Sequence, residues 1–393
     1  MFVMEFVPLP FCSRLEEYQQ QAESLLEGYR AGDPAAIRIF KERHPRFLDE
    51  KILWLPKNVS DAEVRAAALD IADAQFALAR SYDFQNWQAL AAYAAAVTEV
   101  NSSVWRFESA VEAVVAGDLA ALGTLLREDP ELVRARSTRV THFDPPVHAA
   151  MLLHYVAANG VEGYRQKTPA NAVDVAKALL QAGAEVDALA NLYGGRCTTM
   201  SLLVSSCHPA NAGAQVALVD TLLDFGASAG DHGEGKWTSP LMTALAFGYT
   251  DAAEALARRG ARVDQIAAAA GLGRLEDARR LLPAADAEGR HRALAVAALH
   301  GHVDIVRLML DAGEDPSRYN PDGNHAHSTP LHQAVLAGHE AVVRLLVERG
   351  ARLDIQDTIY KSTPLGWAIY GGQKEIANYL RSQGAKTSDE LEP

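Results

Sequence analysis

Between Thr329 and Gly384 the chain states one pattern twice. Thr329-Pro-Leu-His332 leads to Gly338-His339, then through Val342, Val343, Leu345 and Leu346 to Gly350-Ala351. Thr363-Pro-Leu-Gly366 leads to Gly372, then through Ile376 and Leu380 to Gly384-Ala385. Pro330 to Pro364 is 34 residues, and Gly350 to Gly384 is again 34. A fixed period of this size means one supersecondary unit stacked on copies of itself. Each threonine is placed to N-cap a helix, and the proline after it suits the first helical position, where no N–H is needed. A glycine ends that short helix, a second helix follows with an apolar face, and another glycine closes it in the left-handed conformation. Neither helix can bury its apolar face alone, so the unit is stable only in a stack.

Read backwards, the pattern decays but stays legible. Residues 294–313 form one unit, 266–282 a truncated one and 239–261 a clear one. Two earlier units are expanded. In the first, residues 161–171 separate Gly160 from the second helix; in the second, residues 208–215 do the same after Cys207. Excess loop is where function tends to collect, so both insertions are marked as candidates. Further forward, Ala31-Gly32-Asp33 and Pro45 return as Ala116-Gly117-Asp118 and Pro130 at a constant offset of 85 residues, which predicts a helix pair over residues 15–46. Ser60-Asp-Ala-Glu63 reads as a capping box opening a long helix through Ala79, followed by another through Trp87, Leu90 and Tyr93.

The T-P-L-H start, the mid-unit G-H and the closing G-A resemble the ankyrin repeat. The resemblance implies an all-α ankyrin-repeat solenoid: helix pairs with short β-hairpin fingers, capped by an N-terminal helical segment. Leu15-Glu-Glu-Tyr18, Gly32-Asp33-Pro34, Phe84-Gln-Asn-Trp87, the run from Leu153 through Gly160-Val-Glu-Gly-Tyr-Arg165 to Pro169, and Tyr193-Gly-Gly195 are similar to bacterial ankyrin-repeat proteins with a helical leader. That similarity assigns no activity. The expected organisation is a helical cap over residues 1–104 containing an ankyrin-like pair, repeats over 105–387 with insertions at 161–171 and 208–215, and a tail at 388–393.

Charge and cysteine usage narrow the partners. With 37 Lys and Arg against 50 Asp and Glu, the formal charge is −13. That argues against the basic footprint of a nucleic-acid binder and would repel an anionic membrane. No run approaches the ~18 apolar residues of a membrane-spanning helix. Cys12, Cys197 and Cys207 make neither a disulfide framework nor a CxxC pair. The opening stretch lacks the basic start of a signal segment, so a cytoplasmic place is expected.

No P-loop, G-x-S-x-G elbow or H-E-x-x-H motif occurs, so neither a cofactor nor a metal is expected. The cluster with most chemistry is His142, Asp144 and His148, followed by His154, with Tyr164 and Arg165 in the insertion and Cys207 and His208 in the next unit. Such a set could support acid–base or nucleophilic work, with a small molecule bound between the expanded repeats. The plainer reading makes Cys207 a small buried hydrophobe and gives His154 and His332 the fourth place of the helix-start motif, where imidazole braces the N-cap. His300, His325 and His327 could converge, but no cysteine or acid stands at metal-ligand spacing.

The leading expectation is a non-catalytic module recognising a protein or peptide. Positions just before each mid-unit glycine should line a concave face, among them Ala158, Asn159, Ser205 and Ser206, then Phe247, Leu272, Leu299, His300, Leu336 and Tyr370. Hairpin fingers add Tyr193, Trp237, Tyr319, Asn324, His325, Tyr360 and Lys361. Aromatic residues on polar turns around a concavity have the composition of an interface.

Overall fold

Helix starts in this chain follow its capping residues. The computed structural model describes residues 7–391. Residues 1–6 and the last two residues of the expected tail lie outside it. Its fold is all-α, built of ankyrin-type helix pairs. Among the described residues one two-stranded sheet occurs, the hairpin Ala190–Leu192 with Gly195–Cys197, so the other fingers are turns. The described chain divides into two compact units. The first runs to Ala227 and takes in Gly233–Gly235; the second comprises Ser228–His232 and the chain from Lys236 onward. The division thus falls near residue 227, and residues 105–227 pack in one body with the helical leader.

In the first unit the offset twins are structural twins. Leu15–Ala31 and Pro34–Arg43 form one pair, Ser103–Ala116 and Leu119–Glu128 the other. Gly32 and Gly117 both cap in the left-handed conformation, and a 3-10 turn follows each pair at Pro45–Phe47 and Pro130–Arg134. Asp33 and Asp118 each cap the second helix by accepting a backbone N–H, from Ala35 and Ala121 respectively. The long helix expected from Ser60 to Ala79 is two helices, Asp61–Arg65 and Ile71–Ser81. The reason is local: Asp70 accepts from the N–H groups of Ala72 and Asp73 and starts a helix of its own. Insertion 208–215 is not an open loop either. Cys207–Asn211 is a short helix, and Gln215 opens the next one with its amide bonded to the carbonyls of Leu203 and Ser206.

The second unit holds five helix pairs: Pro240–Ala246 with Thr250–Arg258, Ile266–Gly271 with Leu275–Leu281, Ala287–His300 with Val303–Asp311, Pro330–Leu336 with Glu340–Glu348, and Pro364–Tyr370 with Lys374–Ser382. The third pair begins earlier than periodicity suggests, because Asp286 accepts from Gly289 N–H and adds two turns. The closing glycines Gly350 and Gly384 sit at φ 86° and 85°. Part of the expected tail is ordered: Ser388–Leu391 forms a helical turn, and Ser388 donates to the Lys361 carbonyl at 2.6 Å.

Stacking in this unit rests on a repeated polar staple beneath an apolar core. His302 Nε2 donates to the Gly271 carbonyl, and His339 Nε2 to the Leu299 carbonyl, each at 2.9 Å. Each ring lies against the mid-unit glycine of the preceding repeat. A Cβ on Gly273 would stand 2.8 Å from His302, and one on Gly301 2.7 Å from His339. Both glycines also have positive φ, at 68° and 78°. The G-H signature is therefore one device: glycine leaves the space that the next repeat's imidazole fills. Above it, Leu331, Val342, Leu346, Leu365 and Leu380 belong to one buried core.

Leu345 and Leu179 are both buried, Glu348 exposed. Leu345→Ala or Leu179→Ala should cost ~2–5 kcal/mol, and Glu348→Ala less than about 0.5 kcal/mol. Urea melts of the three variants check this; equal small losses would contradict the stacking register.

Candidate functional site

Of the residues singled out in the first unit, His148, Tyr164 and Arg165 are brought together, as a closed ion network. His148 and Glu162 are wholly buried, with Nε2 and Oε1 3.1 Å apart. Arg139 Nε lies 3.2 Å from the same oxygen. Arg165 pairs with Glu108 at 2.7 Å and with Glu112 at 2.8 Å. Tyr93 donates to Glu108 at 3.0 Å, and Arg139 donates to the Tyr164 hydroxyl at 2.8 Å while lying over the rings of Phe84 and Tyr93. Burial alone would raise the Glu162 carboxyl, but Arg139, His148 and Arg165 outweigh it and hold the acid far below its usual range. Tyr155 is buried beside this network, and its hydroxyl, pushed well up by burial, has no hydrogen-bond partner among the described residues.

Insertion 161–171 is thus a clasp on the leader. Gly163 N–H donates to the Asp83 carboxylate at 2.7 Å, and that carboxylate also meets His142 Nε2 at 3.0 Å. The Tyr82 carbonyl accepts from Arg139, and Val140 O accepts from Gln85 N–H. His154 takes the bracing place, its Nδ1 accepting from Met151 N–H and its Nε2 meeting the Ala188 carbonyl, each at 3.1 Å. Cys207 and His208 are exposed on their short helix, so the structure does not gather them with the buried His148 and His154 into an open pocket. Asp144 precedes Pro145 in the hairpin turn through a cis bond, and no ion pair joins it to the network among the described residues. The cysteine that is buried is Cys197, whose thiol burial pushes up to about 11; Cys207 is not the buried hydrophobe its neighbours suggest.

Sequence reasoning missed Glu108, Arg139 and Glu162. A signal for Glu108 was present, since it is a lone charge among the apolar positions Phe107, Ala110 and Val111 of one helix. Its partners stand 31 and 57 residues further along at Arg139 and Arg165, and only the fold shows the match.

The aromatic candidates of the second unit do form a continuous arrangement. Ring centroids of Trp237 and Phe247 are 5.3 Å apart, Phe247 and His325 6.0 Å, His325 and His327 6.1 Å, and His327 and Tyr360 6.1 Å. His300 and His325 reach back to the first helix pair of this unit, donating from Nε2 to the carbonyls of Leu245 and Ala246 at 2.8 Å. Burial lowers both pKa values, which keeps them neutral donors. No group of three or more His, Cys, Asp or Glu placed to hold a metal occurs among the described residues. Ala158, Ser206, Leu272 and Asn324, expected at the surface, are buried; they pack between repeats instead. Tyr193 lies in the first unit, half exposed, with its hydroxyl donating to Asn159.

The last finger, residues 357–362, is rigid because one buried carboxylate organises it. Asp357 accepts from the N–H groups of Ile359, Tyr360 and Ser362 at 2.6–3.0 Å and from the Trp367 indole at 3.1 Å. Burial opposes the charge, but these donors and His327 hold the carboxyl well below its ordinary range. Trp367 stacks edge-on against His332, whose Nδ1 meets the Thr329 hydroxyl at 2.8 Å and whose Nε2 meets the Ser362 carbonyl at 3.2 Å. On one side of the finger, Leu336, Tyr360, Ser362, Trp367 and Tyr370 line an apolar cavity of about 390 Å³. On the other, Tyr319, Arg352, Thr358 and Lys361 are among the residues lining a more polar one of about 490 Å³.

A family model for ankyrin repeats in three copies matches residues 265–357 and 319–390. The chain carries ankyrin repeats. It is similar to the ankyrin repeat and SAM domain-containing protein 6 of Mus musculus, 40% identical over 104 residues, covering 26% of this chain and 11% of the mouse protein. It is also similar to Protein PhlB of Serratia liquefaciens, 34% identical over 92 residues, 23% of this chain and 39% of that protein. The SH3 and multiple ankyrin repeat domains protein 2 of Homo sapiens is 30% identical over 214 residues, 54% of this chain and 10% of that protein. The chain therefore spans only about a tenth of the length of the mouse and human relatives.

Two outcomes follow from the buried polar groups. Glu162→Gln should destabilise by ~3–5 kcal/mol, because Arg139 and Arg165 would be left buried with one carboxylate fewer. A calorimetric scan checks this. Burial pushes the pKa of His154 and of His332 down to about 4. Unfolded histidine titrates near about 6.5, so the unfolded chain takes up the proton first as the pH falls. The stability these two groups contribute is full above about pH 6.5 and is lost between there and pH 4. Urea midpoints against pH should show that slope, and His154→Asn with His332→Asn should flatten it.

Proposed function

We propose that this chain is a recognition module that binds a protein or peptide partner through the aromatic face of its second unit. The repeats themselves support an interaction module, as does the similarity to the multi-repeat relatives. The observation that carries the assignment to a face is the run of rings from Trp237 through Phe247, His325 and His327 to Tyr360, ending beside Tyr370. Tyr370 is 90% exposed and Tyr360 57%. Large apolar side chains held wet on a rigid support are what a partner's surface covers. The leader and the clasp form one body with residues 105–227 and would support those repeats. A cytoplasmic setting fits three unpaired thiols. Among the described residues no helix is long and apolar enough to cross a membrane. The Serratia relative is bacterial, whereas the mouse and human relatives are not, so a bacterial setting is a proposal that rests on that one short match.

The alternative of a histidine pocket between the expanded repeats is the weaker reading. His148 is committed to Glu162 and His154 to the Ala188 carbonyl, both without solvent access.

With a partner isolated from native extract, Trp237→Ala or Tyr370→Ala should weaken binding by ~2 kcal/mol, with the fold intact by circular dichroism. Unchanged affinity for alanine variants of Trp237, Tyr319, Tyr360 and Tyr370 would exclude this face.

A further inference from the structure

The last finger separates two cavities of opposite character, and their chemistry names more than a face. The apolar side presents Leu336, Tyr360 and Tyr370, 41%, 57% and 90% exposed, around the buried Trp367 ring. The backbone that carries these side chains is ordered. The Tyr360 backbone is pinned by Asp357, and Tyr370 ends the helix Pro364–Tyr370. The other side is polar, and most of its charge is already spent. Arg352 is committed to Asp354 through two contacts at 3.1 and 3.2 Å. Asp357 is buried and saturated by its donors. Tyr319 donates its hydroxyl proton to the Gln356 carbonyl at 2.6 Å. Lys361 remains. Its ammonium gives one hydrogen bond to the Thr358 carbonyl at 2.9 Å, and an ammonium has three to give. The exposed charge beside the finger with donors to spare is therefore the Lys361 ammonium, while the Asp357 carboxylate that balances it is buried. Lys361 also holds φ 54°, a conformation costly for a residue with a Cβ, at the tip of the ridge between the cavities.

We propose that the finger at residues 357–362 is the ridge between two subsites that together take an extended segment of a partner, one large apolar side chain entering the Leu336, Tyr360, Tyr370 cavity while a neighbouring carboxylate meets Lys361. This rests on the recognition reading above and deepens it by assigning the partner's chemistry. The apolar subsite supplies affinity by covering exposed rings, and the ammonium supplies selection for acid over base.

The test uses the full chain and three fluorescein-labelled blocked peptides: Glu-Gly-Trp-Gly-Glu, Lys-Gly-Trp-Gly-Lys and Glu-Gly-Ala-Gly-Glu. In fluorescence anisotropy the first should bind about tenfold more tightly than either of the others. The overall negative charge works against this order, since general attraction would favour the lysine peptide. Lys361→Glu should erase the preference over the lysine peptide, and Tyr370→Ala the preference over the alanine peptide, both with unchanged thermal melts. Equal binding of the three peptides, binding of none, or preferences that survive both substitutions would each overturn the two-subsite assignment. The wider reading fails separately, on the response of the native partner to Trp237→Ala and Tyr370→Ala.

Discussion

The fit of an imidazole against a glycine is the constraint on which the second unit depends. A repeat stack gains its stability from burying the apolar faces of neighbouring helices, but that attraction is non-directional and would tolerate slippage. His302 and His339 remove the tolerance. Each reaches a carbonyl at the end of the preceding repeat's first helix, where the helix has run out of internal donors. Each can do so only because the glycine beneath it has no side chain. His300 extends the device, bonding the Leu245 carbonyl and the Thr250 hydroxyl at once. The line of rings exists because its supporting helices have no freedom to slide.

The first unit solves the same problem by a costlier route. Its expanded repeat has no G-H pair, and the additional chain folds inward with Glu162 and Arg165 buried. Two arginines and two glutamates held out of water repay their desolvation only when every partner is in place. The network draws on Tyr93 near the end of the leader, Glu108 in the helix Ser103–Ala116, Arg139 and His148 on the hairpin, and Glu162 and Arg165 in the insertion. A shift of any one segment would strand a charge. Such an arrangement adds little to net stability and much to uniqueness, which suits a leader whose helices would otherwise find several apolar surfaces to pack against.

What could be read in the sequence follows the range of the forces involved. Caps, glycine closures and the 34-residue period are local, and Thr363, Gly350 and Gly384 do what their positions imply. His154 and His332 likewise brace their helix starts as the motif suggests. The helix break before Ile71 was legible in principle, because Asp70 and Asp73 make a capping box that competes with the one at Ser60. The insertion's role was not. Glu-Gly-Tyr-Arg at residues 162–165 looks like exposed polar loop, and only a complementary charge set brought from residues 108 and 139 turns it into core. The aromatic positions Trp237, Phe247, His325, Tyr360 and Tyr370 were readable as a set, while Asp357, which fixes the finger, had no signal beyond an acid before a turn.

Left-handed backbone in non-glycine residues occurs both inside the packing, at Asp83 and Ala158, and at the finger tips. Most left-handed residues in the chain are glycines at helix ends, where the conformation carries no penalty. Tyr193, His325 and Lys361 adopt it at finger tips with side chains attached, each at a cost on the order of 1–3 kcal/mol. Glycine at any of the three would relieve that strain and leave the finger's turn possible. The side chains must therefore repay it. Tyr193 and His325 do so in part through hydrogen bonds to Asn159 and the Ala246 carbonyl. The Lys361 side chain makes one exposed bond within its own turn, less than a buried bond would return against that strain. A strained tip whose ammonium is underused in the free protein is expected of a side chain retained for what it meets outside the protein, and the apolar cavity across the ridge shows where that contact would continue.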